Sequence, residues 1–228
     1  MLNDAIDAGL IRANPFAGLR LEQSRGRKDL EALTEDEVVE LADASLGAFD
    51  DAFGLVMRAW ILVAGFTGIR PGEQMGLEWE NVTAEEVVVD GTKTRTARRR
   101  IVLPPAARSA LVEMPRWFDS SWVFVSKTGR QFTKGILQRN FDEVRIAYGR
   151  PEIDPYDLRH ACATNLMRRG VEPWAIAQQL GHSDHGHLVT TLYGHPSEND
   201  ARDRIKRAYG QNVVPLAARL QQTRSEGG

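Results

Sequence analysis

The run from Phe53 to Gly68, "FGLVMRAWILVAGFTG", is apolar on nearly every side. It is about as long as four helical turns. A helix with no polar face cannot lie on a surface, so this one must sit at the centre with other elements wrapped around it. Arg58 and its polar context argue against a membrane span, and no uninterrupted apolar stretch is long enough for one. With 228 residues and 42% hydrophobic content, the chain has enough material for a substantial core.

The surrounding pattern is helical with one change of period. "TEDE" pairs Thr34 with Glu37 three residues on, a capping box that opens a helix whose buried face is Val38, Val39, Leu41 and Ala42. In "EEVVVDGTKTRTARRRIVLP", Val87 to Val89 and Ile101 to Leu103 flank turn-formers and charges, which predicts a β-hairpin with a long basic tip. Helical patterns return in "AARSALVEM", "GILQRNFDEVRIAYG", "YDLRHACATNLMRRG", "EPWAIAQQLG" and "ENDARDRIKRAYG", several stopping on glycine. The fold class expected is mainly α (α+β), with a single small antiparallel sheet. Near the start, Leu2, Ile6, Leu10 and Ile11 recur at helical spacing until "RANPF", where the residue before Pro15 is pushed out of helical geometry. Residues 15–32 read as a basic linker, a domain begins near Leu33 and runs to 210, and 211–228 form a tail that fades into polar residues.

Charge and cysteine content narrow the setting. A formal net charge of -2 is not the basic excess typical of nucleic-acid binders. The average conceals a stretch with no acid between Gly91 and Leu103, where Lys93, Arg95, Arg98, Arg99 and Arg100 could meet phosphates or form a solvated hairpin. A single cysteine, Cys162, excludes an intrachain disulfide and reads as a small core residue. No segment resembles a signal peptide, so a reducing, cytoplasmic location is the default.

Three groups could carry chemistry. "LGHSDHGHLVTTLYGHP" gathers His182, His185, His187 and His195 beside Tyr193. A metal cage is disfavoured there, because no carboxylate or cysteine pattern of a familiar zinc site accompanies the imidazoles. Arg70 follows the apolar helix and precedes Pro71, which suits the first turn of another. Arg159 lies between Leu158 and Ala161, so its guanidinium is expected to be partly buried and to need an anion or several acceptors. Two forked guanidiniums can hold a phosphodiester bidentately and stabilise a pentacoordinate transition state without a metal. A tyrosine could then attack phosphorus.

Together these stretches resemble the tyrosine recombinases, or phage-type integrases. "ALTEDEV", "TGIRPGEQMGLEW", "TKTRTARRRIVLP", "PYDLRHACATNLMRRG" and "IAQQLGHSDHGHLVTTLYGH" are similar to that family's catalytic-domain blocks, in order and at familiar separations. The resemblance implies a helical catalytic domain that cleaves and rejoins DNA through a 3′-phosphotyrosyl link, with no cofactor. It implies that Arg70 and Arg159 clamp the phosphate, that Glu73 supports them, and that Lys93 protonates the departing 5′ oxygen. His182 matches the histidine that hydrogen-bonds the phosphate, and Tyr193 the nucleophile. Arg95, Arg98, Arg99 and Arg100 are the expected DNA contacts. The implied partners are double-stranded attachment sites and further copies of the chain, assembled as a tetramer on DNA.

The chain departs from the family pattern in three places. Tyr156 stands where the family usually has histidine in His-x-x-Arg, and a phenol with a pKa of about 10 accepts protons less readily than an imidazole near 6.5. "DHGH" lengthens the interval between His182 and Tyr193 by about two residues relative to typical members. Residues 1–14 resemble only the last helix of the family's amino-terminal DNA-clamping domain. A catalytically silent DNA-binding or regulatory relative is the alternative reading.

Overall fold

The computed structural model describes residues 6, 8–13, 31–49, 51–89, 98–116 and 118–181. The chain divides into two units, Met1–Glu31 and Ala32–Gly228. In the first, Ile6 is helical, but the helix stops before Leu10 and Ile11 rather than at "RANPF". Gly9 takes φ 69° and donates its N–H to the Ile6 carbonyl at 2.9 Å, closing a turn that leaves Leu10 exposed. The periodic leucine and isoleucine were therefore a misleading signal there, because a left-handed glycine outweighs weak apolar spacing.

The second unit is built around the apolar helix. Helix α1, Glu35–Ala48, starts at Thr34, whose hydroxyl accepts from the Glu37 N–H while the Glu37 carboxylate accepts from the Thr34 N–H. Helix α2, Phe53–Thr67, has buried residues on every side, including Phe53, Met57, Trp60, Ile61 and Val63. It packs on α1 and, further along the chain, on helices α4 (Pro105–Glu113) and α6 (Pro155–Arg168). Helix α5, Lys134–Ala147, covers α1 and delivers Phe141 edge-on to Trp60, ring centroids 6.1 Å apart.

Between α2 and α4 lie one turn of helix, α3 (Pro71–Met75), and two antiparallel strands, β1 (Glu86–Val89) and β2 (Arg99–Val102), with Val87 opposite Ile101. Val87, Val89, Ile101 and Leu103 face the core, the period-two pattern that predicted the hairpin. Its tip, 90–97, lies outside the described residues. One element was not anticipated. Between α4 and α5 the chain makes an isolated bridge, Val125 to Gln131, that sends Val123, Phe124 and Phe132 into the core.

Helix α7, Pro173–Leu180, rests on α6 through a small second cluster of Ala163, Met167, Ile176, Ala177 and Leu180. It also touches β2. Gly170 and Gly181, with φ of 85° and 71°, end α6 and α7 as the sequence predicted. Among the described residues no helix is long and apolar enough to cross a membrane.

Candidate active site

The apolar helix ends where the charged residues begin. Gly68 adopts φ 67° and returns its N–H to the Ala64 carbonyl at 3.0 Å, turning the chain off α2. A side chain at 68 would be strained by that φ and would also strike Leu180 Cδ2, 2.3 Å from an added Cβ. Ile69 is buried beyond it, and Arg70 becomes the residue that caps α3. Pro71 suits this first helical position, since it has no N–H to leave unpaired.

Glu73, at the third position of α3, folds back onto Arg70. One carboxylate oxygen accepts from the Arg70 backbone N–H at 3.0 Å, the other from Arg70 Nη1 at 2.9 Å. Arg99 forks onto the same carboxylate from β2, Nη1 to Oε1 at 2.8 Å and Nη2 to Oε2 at 2.6 Å. Burial alone would push the Glu73 carboxyl up, but the Arg99 hydrogen bonds and charge, with help from Arg70, hold it below the usual carboxylate value.

The same place is approached from α6. Arg159 is 6% exposed, and its guanidinium donates to the Gly68 carbonyl at 2.5 Å and to the Leu180 carbonyl at 2.7 Å. Arg70 Nη2 donates to the next carbonyl, Gly181, at 2.8 Å. Both guanidiniums are thus fastened to the carboxyl end of α7, where the last carbonyls lack helical partners and the helix dipole favours positive charge. The residue that follows is His182. Gln179 ties this helix end to its neighbours, accepting from the Val102 N–H at 3.0 Å and donating towards the Thr67 and Val102 carbonyls at 3.2 Å.

Arg70, Glu73 and Arg159, singled out from sequence, therefore meet at one point. Tyr156 lies in the first turn of α6, three residues ahead of Arg159, with its side chain on the surface and its N–H bonded to the Asp154 carboxylate at 2.7 Å. The hairpin arginines divide. Arg100 is exposed and pairs with Glu86 across the strands at 3.1 Å, and Arg98 reaches Asn81 at 3.3 Å. Arg99 turns inward with Ile101, its side chain only 14% exposed, and is part of the site rather than of the outer face. Strand alternation anchored on Ile101 and Leu103 is the signal that could have found it. Lys93, Arg95, His182 and Tyr193 lie outside the described residues, as do His185, His187, His195 and the helix expected in "ENDARDRIKRAYG". Cys162 is buried, and burial pushes its thiol up to about 12, which suits the core role expected of it.

The sequence model of the phage integrase family matches residues 31–200. The chain belongs to the phage integrase family. Among curated members it is 31% identical over 184 residues to the tyrosine recombinase XerD of Caulobacter vibrioides, covering 75% of this chain and 59% of that protein. It is 24% identical over 202 residues to a tyrosine recombinase of Thermosipho africanus, covering 88% of this chain and 69% of the relative. This integrase-family chain thus spans 59% and 69% of the length of those two proteins. Its fold superposes on the crystal structure of XerA recombinase with a TM-score of 0.63 at 25% identity, covering 77% of this chain and 64% of the other. It also superposes on a lambda integrase tetramer bound to a Holliday junction, with a TM-score of 0.60 at 20% identity over 81% of this chain and 56% of the other. Curated relatives of this chain carry the name tyrosine recombinase.

Proposed function

We propose that residues 33–210 form the catalytic domain of a tyrosine recombinase that cleaves and rejoins double-stranded DNA. The observation that carries this reading is the meeting of Arg70 and Arg159 at the carboxyl end of α7, immediately before His182 in the chain. In the proposed reaction the two guanidiniums hold the non-bridging oxygens of the scissile phosphate and offset the charge that develops on it. His182 donates a further hydrogen bond to that phosphate, with Tyr156 in the place where the family usually has histidine. The Tyr193 hydroxyl gives its proton to solvent as its oxygen attacks phosphorus, the bond from phosphorus to the 5′ oxygen breaks, and Lys93 gives that oxygen a proton. A 5′ hydroxyl from a second strand then attacks the 3′-phosphotyrosyl bond and frees the tyrosine. Each step exchanges one phosphodiester for another, so the bond energy is retained and ATP has no part.

Arg95, Arg98 and Arg100 are proposed to meet the DNA backbone, and the assembly is proposed to be a tetramer. In support, solved neighbours include XerH bound to its difH substrate and the lambda integrase tetramer on a Holliday junction. The exposed Tyr156 favours the second reading, a silent DNA-binding relative, because a phenol is a weak proton acceptor near neutrality.

A pool of nicked duplexes with randomised sequence tests the proposal without a known site. Wild-type protein should capture a subset of the pool in an adduct that survives denaturing detergent, and Tyr193→Phe should capture none. An equal yield of adduct from the variant would contradict the assignment, and a wild type that binds duplexes without forming adducts would favour the silent relative.

A further inference from the structure

We propose that Arg99 is a positioning residue for Arg70, acting through Glu73, and not a contact to DNA; this rests on the recombinase reading of the site. A carboxylate offers about four acceptor positions. At Glu73 four donors converge: the Arg70 N–H, Arg70 Nη1, Arg99 Nη1 and Arg99 Nη2. The terminal torsion of glutamate is broad and roughly two-fold, so a lone carboxylate can swing. A bidentate guanidinium fixes its plane. The direction in which Arg70 points is therefore set by a carboxylate whose own direction is set by Arg99.

Charge leads to the same assignment. Glu73 paired with Arg70 alone would cancel the positive charge that a phosphate needs. With Arg99 as a second partner, the three side chains keep a net charge of about +1 beside the Gly181 carbonyl that Arg70 also holds. Arg99 has little freedom to serve elsewhere. Its guanidinium lies against the backbone of Gly181, where an added Cβ would stand 2.7 Å from Nε and 2.8 Å from Cζ. Arg100, one residue on, has the exposure that a DNA contact needs.

The test compares Arg99→Gln, which loses both fork and charge, with Arg99→Lys, which keeps the charge. On duplexes selected by the wild type, single-turnover adduct formation should fall about 100-fold in Arg99→Gln and about 10-fold in Arg99→Lys, the size of effect that follows from a small misplacement of a reacting group. In the double variant Glu73→Gln/Arg99→Gln, whose site keeps a net charge of about +1 on Arg70, duplex affinity and its salt dependence should match wild type, whereas loss of a phosphate contact would lower the slope of log K against log salt by about 1. In a Glu73→Gln background, Arg99→Gln should add little, since both act through one carboxylate. The acid limb of the cleavage profile should move to higher pH without Arg99, because the influence that holds the Glu73 carboxyl down is gone.

A second arm needs no DNA. Nitrogen-15 spectra of arginine side chains in the free chain should show slow rotation of the Arg70 guanidinium in wild type and faster rotation in both variants. Additive losses with Glu73→Gln, a reduced salt slope in the double variant, or unchanged Arg70 rotation would each overturn the proposal. A wild type that forms no adduct would count against the recombinase reading, and the rotation measurement would still decide whether Arg99 positions Arg70.

Discussion

Helix α2 borders two interiors of opposite character. Along its length Trp60, Ile61 and Val63 are surrounded by apolar side chains, and what they need from their neighbours is volume. Beyond its end, Arg159 and Glu73 are nearly as well buried, but each survives only because specific donors or acceptors arrive from distant segments. The first interior tolerates any apolar filling of similar size, at a modest cost. The second does not, because a buried charge that loses a partner keeps its desolvation cost. Core substitutions should therefore change stability, while substitutions at the charged end should change chemistry as well.

The largest expected effect tests the apolar side. Trp60→Ala should lower unfolding free energy by about 3–5 kcal/mol in urea titrations, and the adduct rate per folded molecule should stay at the wild-type value. A lost adduct rate in the folded fraction would show that the two interiors are not separable. Gly68→Ala strikes their junction. Its φ of 67° and the contact with Leu180 should cost about 1–3 kcal/mol. Because the Gly68 carbonyl also holds Arg159, cleavage should fall further than stability accounts for. If adduct rate merely follows the folded fraction, the junction carries no special role.

Glu73→Gln should give a change in stability that depends on pH. The folded carboxyl titrates below its ordinary value, so its ionised form contributes stability above about pH 4.5 that is lost as pH falls through the lowered folded value. The variant should be less stable than wild type at pH 7, and the gap should narrow on acidification. A gap constant from pH 7 down to pH 3 would mean that Glu73 gains nothing from Arg70 and Arg99.

The two interiors also differed in how readily the sequence disclosed them. An apolar run with no polar face, a Thr34–Glu37 capping box and glycines after α6 and α7 each act locally, and each marked its element correctly. Arg70 and Arg159 were recognisable as a pair through their motifs, but the acceptors that hold them were not. Those acceptors are the backbone carbonyls of Gly68, Leu180 and Gly181, and a carbonyl carries no residue-specific signature. Arg99 was hidden among basic neighbours, and only its parity with Ile101 distinguishes the inward side of β2. The bridge between Val125 and Gln131 was too short for a period to register, although its aromatic residues enter the core.

In the proposed reaction, two arginines fastened to the end of α7 present a phosphate to Tyr193. Mass spectrometry of the detergent-stable adduct tests it most directly: after protease and nuclease digestion, the peptide containing Tyr193 should carry a nucleotide through its 3′ phosphate. Attachment at Tyr148, Tyr156 or Tyr209 instead, or an intact Tyr193 peptide from purified adduct, would contradict it.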